Sequence, residues 1–163
     1  MPSFELLDSC AADAFPAMVW VAGPDRLCSW LNRRWYEFTG GSEPEETGSG
    51  WVRHVHPDDL ARWHAVYQKA FASNEGFTLE YRLRRQDGQY RSVLESAEPI
   101  FADGRPAGQY LGFCVDITHL AGESQERERL LFVVQAENGI RDDFISLVSH
   151  GLRTPLNTVL MSA

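Results

Sequence analysis

The sequence predicts an α+β fold: an antiparallel sheet with helices on one face, followed by a long C-terminal helix. Three observations carry this reading. The element order runs strand, strand, helices, then three strands, and helices grouped between two strand sets favour an antiparallel sheet covered on one side. Phe77-Thr-Leu-Glu-Tyr-Arg-Leu-Arg alternates apolar and polar residues, the period of a half-buried strand. Composition shifts near residues 118–120: Trp20, Trp30, Trp35, Trp51 and Trp63 all precede that point, and no tryptophan follows it.

The elements follow in order. Ala17 to Ala22 is an apolar run ended by Gly23-Pro24-Asp25, a strand and its turn, and Leu27 to Leu31 is the partner strand of a hairpin. Asn32 opens RRWYEFTGG, a short helix with an Asx cap and a double-glycine stop. His56-Pro57-Asp58-Asp59 starts a longer helix, with proline in the first turn and two acids at the positive end of the dipole. It runs through LARWHAVYQKAFAS and ends before Gly76. The strand from Phe77 stops at the hairpin dipeptide Asp87-Gly88. Tyr90 to Phe101 is the next strand, Asp103-Gly-Arg-Pro106 a turn, and about Gln109 to Ile117 the last strand.

Composition bounds what such a chain does. Its 163 residues suit one domain plus an appendage. Fifteen basic against twenty-three acidic side chains give a net charge of −8 with no basic block, a poor surface for nucleic acid. No apolar run reaches the roughly 20 residues of a membrane span. MPSFELLDSC lacks the basic and apolar regions of a signal peptide. Cys10, Cys28 and Cys114 are odd in number and lack CxxC spacing, so reduced thiols in the cytoplasm are expected.

The segments WLNRRWYEFTGG, HPDDLARW and FTLEYRLRRQDGQYRSVLESAEPIFADGRPAGQYLGFCVDIT occur in the order found in PAS sensor domains, and residues 15–118 resemble that family. The resemblance implies the PAS fold, a five-stranded antiparallel sheet with helices on one face, and leaves residues 1–14 as an N-terminal flanking segment with helical character. It departs from the family at Ser92, where relatives often carry tryptophan. It also makes Asp116 and Thr118 a signalling junction. A carboxylate and a hydroxyl where a strand gives way to a helix can accept hydrogen bonds from orphan helix N–H groups.

Residues 119–163, as one helix, would span about 68 Å, too long to pack on a hundred-residue domain. Val133, Ile140 and Leu147 recur at heptad spacing with Phe144 between them, which predicts a coiled-coil linker over 119–141 and a homodimer through residues 119–163. Asn138-Gly139 interrupts helix propensity and marks a candidate hinge.

Residues 142–163 contain SHGLRTPLN, which resembles the phosphoacceptor helix of sensor histidine kinases, with the signature Ser-His-acid-Leu-Arg-Thr-Pro-Leu. Ser149, His150, Leu152, Arg153, Thr154, Pro155 and Leu156 match it. The resemblance makes His150 the phosphoacceptor, gives Thr154 a role in orienting a water for dephosphorylation, and supplies a response-regulator receiver domain as partner. Helical geometry agrees independently. With Phe144 as zero, Leu147, Val148, Gly151, Leu152 and Val159 fall within roughly 80°, and His150 falls at about 240°, away from that seam. Its imidazole, with an ordinary pKa of about 6.5, is mostly a neutral nucleophile at neutral pH. Pro155 removes a backbone donor, and a helix kink is expected there.

Gly151 departs from the signature. Relatives carry Glu or Asp there, a general base typically worth about 10²–10⁴-fold, so weak autophosphorylation is expected. No nucleotide-binding box lies in the sequence, so ATP is expected to be used only with a catalytic domain it does not contain, and the chain alone to be inactive. The alternative reading is a phosphotransfer-deficient PAS module for dimerisation or ligand binding, with haem as a candidate ligand. His64 lies seven residues after Pro57, a local spacing similar to the proximal-histidine helix of oxygen-sensing kinases, and an inward imidazole there would be the axial ligand. His54, His56 and His64 are the weaker alternative of a metal site. No Asn-Cys-Arg segment of the flavin-thiol photosensor type is present.

Overall fold

The computed structural model describes residues 9–120 and the isolated positions 134, 138 and 142. The chain divides into two compact units, Phe15–His119 and Met1–Ala14 with Leu120–Ala163. Within the second, α1 spans Ser9–Ala14, and Val134, Asn138 and Asp142 are helical and exposed. The predicted seam residues Val133, Ile140, Phe144 and Leu147 lie outside the described residues. No helix among the described residues is long and apolar enough to cross a membrane.

The larger unit is built on a five-stranded antiparallel sheet. Its strands are β1 (Met18–Ala22), β2 (Cys28–Leu31), β3 (Phe77–Arg84), β4 (Tyr90–Ala102) and β5 (Arg105–Asp116), ordered β2-β1-β5-β4-β3. Between β2 and β3 lie α2 (Arg33–Thr39), α3 (Glu43–Glu46), a 3-10 turn (Gly50–His54) and α4 (Pro57–Ser73).

The local signals that predict these elements have visible partners. The Asn32 carboxamide accepts from Trp35 N (3.3 Å) and Val19 N (2.9 Å) and donates to Ala17 O (3.0 Å), so one buried side chain caps α2 and ties it to β1. The His56 ring accepts from Asp58 N (3.2 Å) at the start of α4. One strand start and one helix differ from expectation by more than a residue. The last strand begins at Arg105 rather than near Gln109, because Asp103 (φ 51°) and Gly104 (φ 73°) close the hairpin in two residues. Helix α3 is an addition, and its signal is a capping box: Ser42 and Glu45 bond reciprocally, with Pro44 in the first turn.

Aromatic rings fill the core between sheet and helices. Trp63 and Tyr67 are one helical turn apart on α4, stacked at 4.6 Å. Trp51 meets Trp63 edge-on at 4.7 Å, and Phe71 lies 4.1 Å from Tyr110. The Trp20 indole lies over Gly112, its partner across the β1–β5 ladder; a Cβ there would sit 2.3 Å from the ring.

Both rims of the sheet are occupied. Cys28 of β2 exchanges backbone hydrogen bonds with Gly48 (2.7 and 3.0 Å). On β3, Arg82 O accepts from His56 N (2.9 Å), Arg82 N donates to the Asp59 carboxylate (2.9 Å), and Glu80 O accepts from Arg62 Nη2 (2.6 Å).

Candidate functional site

The exit from β5 is held by hydrogen bonds. Asp116 Oδ1 accepts from Thr118 N (2.9 Å) and from the Thr118 hydroxyl (2.6 Å). Thr118 Oγ1 accepts from Ser92 N (3.0 Å), and Ser92 O accepts from Ile117 N (2.8 Å). Ile117 is fully buried, and a 3-10 turn begins at Thr118. Asp116, Thr118 and β4 thus form one hydrogen-bonded unit at the point where the chain leaves the sheet. Only the backbone of Ser92 is needed for it, so serine in place of the family's tryptophan leaves these contacts intact.

A second group lies inside the fold and was not singled out from the sequence. Glu95 of β4 is 1% exposed and faces the helices beside Trp63, Trp20, Tyr81 and Cys114. Trp63 Nε1 donates to Glu95 Oε2 (2.9 Å). Glu95 Oε1 and Trp20 Nε1 are both buried, and neither completes a hydrogen bond of ordinary geometry. Burial pushes the carboxyl up to about 7, with the surrounding donors opposing the shift. The sequence signal was blurred because residues 93–97 are buried on both faces of β4, so no alternation marks which of them point inward.

A third group, also unforeseen, joins α3 to the 3-10 turn. The fully buried Glu46 carboxylate accepts from Trp35 Nε1 (3.2 Å) and Arg53 Nη2 (3.0 Å) and lies 2.8 Å from His54 Nε2. Burial raises its affinity for a proton, but the bonds to His54 and Trp35 and the nearby charges outweigh this and hold it below the ordinary carboxylate range. It is a structural knot: both oxygens of the Glu46 carboxylate are met by hydrogen-bonding groups.

The histidines predicted as ligands do not converge. His64 is exposed, because Trp63 and Tyr67 take the inward face of α4 and the next residue is turned about 100° away. It therefore lacks the inward position that axial ligation of haem requires, and the interior beside it is packed with rings. The residues present do not fit that group. His54 is bound to Glu46, and the His56 ring lies 4.5 Å from that of Tyr90. Among the described residues no three His, Cys, Asp or Glu side chains gather as a metal site. His150, Gly151, Thr154 and Pro155 lie outside the described residues.

A five-stranded antiparallel sheet with a helical cover and a hydrogen-bonded exit after its last strand is the arrangement expected from the resemblance of residues 15–118. The PAS fold family (PAS_3) matches residues 29–113, and the chain belongs to it. The chain is 36% identical over 136 residues to the uncharacterized protein y4lL of Sinorhizobium fredii, covering 83% of this chain and 16% of that one. It is 30% identical over 150 residues to the aerobic respiration control sensor protein ArcB of Escherichia coli, covering 91% and 18% respectively. It is 27% identical over 141 residues to the peroxide stress-activated histidine kinase mak1 of Schizosaccharomyces pombe, covering 86% and 8%. The chain thus spans less than a fifth of the length of each of these relatives. The crystal structure of the Rhodobacter sphaeroides LOV protein matches with a TM-score of 0.62 at 16% identity, over 77% of this chain and 72% of that one. That likeness supports the fold alone.

Proposed function

We propose that this chain is the sensory segment of a two-component histidine kinase. Its PAS domain is coupled through the Asp116–Thr118 junction to a dimeric helix bearing the phosphoacceptor His150. The observation that carries the reading is the Ser149-His150 to Leu156 motif following a PAS domain in one short chain. The likeness to the sensor protein ArcB, over 91% of the chain, and to the histidine kinase mak1 supports it.

The chemistry assigned to the chain's own residues is limited. The neutral imidazole of His150 attacks the γ-phosphorus of ATP held by a separate catalytic domain, forming an N–P bond as the bond to ADP breaks. The phosphoryl group then passes to an aspartate of a response-regulator receiver domain. Thr154, one helical turn later, orients the water that removes the phosphoryl group, and Pro155 bends the helix beyond the acceptor. Residues 119–163 pair with those of a second copy.

The test supplies labelled ATP and an ATP-binding catalytic domain of a histidine kinase to this chain. Acid-labile, base-stable phosphate that disappears in the His150→Gln variant supports the reading. No label on the wild-type chain, or label that survives the substitution, rejects it in favour of a phosphotransfer-deficient module.

A further inference from the structure

Glu95 has no part in the phosphotransfer chemistry, and its burial runs against the ordinary placement of a carboxylate. No ion pair is formed by Glu95 among the described residues. The groups facing it are Trp63 and Tyr67 from α4, Trp20 from β1, Tyr81 from β3 and Cys114 from β5. Burial pushes the Tyr81 hydroxyl and the Cys114 thiol well above their ordinary values, and Tyr67 is raised in the same way. Glu95 is therefore the member of this cluster that changes charge near neutrality.

We propose that gain and loss of a proton on the buried Glu95 carboxyl is an input to this domain, read out at the Asp116–Thr118 junction. In the neutral acid Trp63 Nε1 donates to one oxygen, and the other carboxyl oxygen sits among the neutral Tyr81 hydroxyl, Cys114 thiol and Trp20 indole. The carboxylate needs more donors than the single well-formed bond it has. An unused one facing it is the buried Trp20 Nε1. Ionisation therefore draws the Trp20 indole toward Glu95.

Two short backbone paths lead from there to the exit. Trp20 pairs with Gly112 and its ring covers that residue, so displacement of the indole is felt on β5, four residues before Asp116. Glu95 is itself three residues from Ser92, whose N–H and carbonyl bind Thr118 and Ile117. Movement in either strand changes the contacts that fix the exit direction. This inference concerns the sensor fold and does not depend on phosphorylation of His150.

The test is a pH titration of the ¹⁵N-labelled chain over about two units either side of neutrality. The expected result is one shared midpoint for the Trp20 and Trp63 indole N–H signals and the Ser92, Ile117 and Thr118 amides. Glu95→Gln, isosteric with the neutral acid, should remove that transition. Infrared spectra of the unaltered chain need no variant and should show a buried carboxylic-acid carbonyl band that vanishes with the same midpoint. A flat titration, the same transition in Glu95→Gln, silent junction amides, or absence of that infrared band overturns the proposal.

Discussion

Thr118 and Ser92 are joined at 3.0 Å by a bond in which a backbone N–H of one strand donates to the hydroxyl beyond the end of the next. The same hydroxyl donates to Asp116 at 2.6 Å, so one oxygen closes the gap between β4 and the exit of β5. Replacing Thr118 with valine keeps the shape and leaves the Ser92 N–H without its acceptor. We expect a loss of about 1–3 kcal/mol in urea unfolding, with Thr118→Ser close to wild type. Equal midpoints for valine and threonine would show the bond to be incidental.

Two carboxyls give the stability profile opposite slopes. Asp59 is gripped by Arg82 through bonds of 2.9 Å to both oxygens, which pull it from 3.8 down to about 2. The unfolded chain takes up that proton first as pH falls, so the stability Asp59 supplies is lost between those values. Glu95 behaves in reverse. Burial raises it from 4.5 to about 7, the unfolded chain releases the proton first as pH rises, and stability declines across that interval. The decline amounts to roughly 3 kcal/mol. Denaturation at a series of pH values should show Asp59→Asn flattening the acid limb and Glu95→Gln flattening the other.

Gly112 faces the Trp20 ring so closely that a methyl group cannot be added without moving the indole or the strand. Gly112→Ala should lower stability by about 1–3 kcal/mol, with an altered tryptophan near-UV signal. Alanine tolerated with an unchanged spectrum would mean that the ring moves freely.

With a catalytic domain supplied, Gly151→Glu should raise the rate of His150 phosphorylation by about 10²-fold or more, since a carboxylate beside the histidine restores a general base. An unchanged initial rate of incorporation counts against that assignment.

What the sequence disclosed depended on how local the cause was. The Asn32 cap, the Pro57 helix start and the Asp-Gly turns act within a few residues, and each was legible. The capping box at Ser42 and Glu45 is equally local, and its Ser-x-x-Glu spacing stands in the sequence. Glu46 and Glu95 are different: their partners come from α2 and the 3-10 turn in one case, and from α4, β1, β3 and β5 in the other. A burial created by elements so far apart in the chain leaves no mark at the residue itself. His64 misled because spacing from Pro57 places a residue along a helix but not around it, and the two neighbouring aromatics decide which face turns inward.

The bonds along the sheet's two rims bear on how this domain can meet others. Outward-facing backbone groups at Cys28, Glu80 and Arg82 are already engaged, and on β3 a carboxylate and a guanidinium stand where another strand would lie. Strand donation from a neighbour would have to break these bonds first. The sheet therefore resists lengthening into a shared, runaway ladder even when many copies are crowded together, and recognition is left to its faces, its loops and the chain that leaves it.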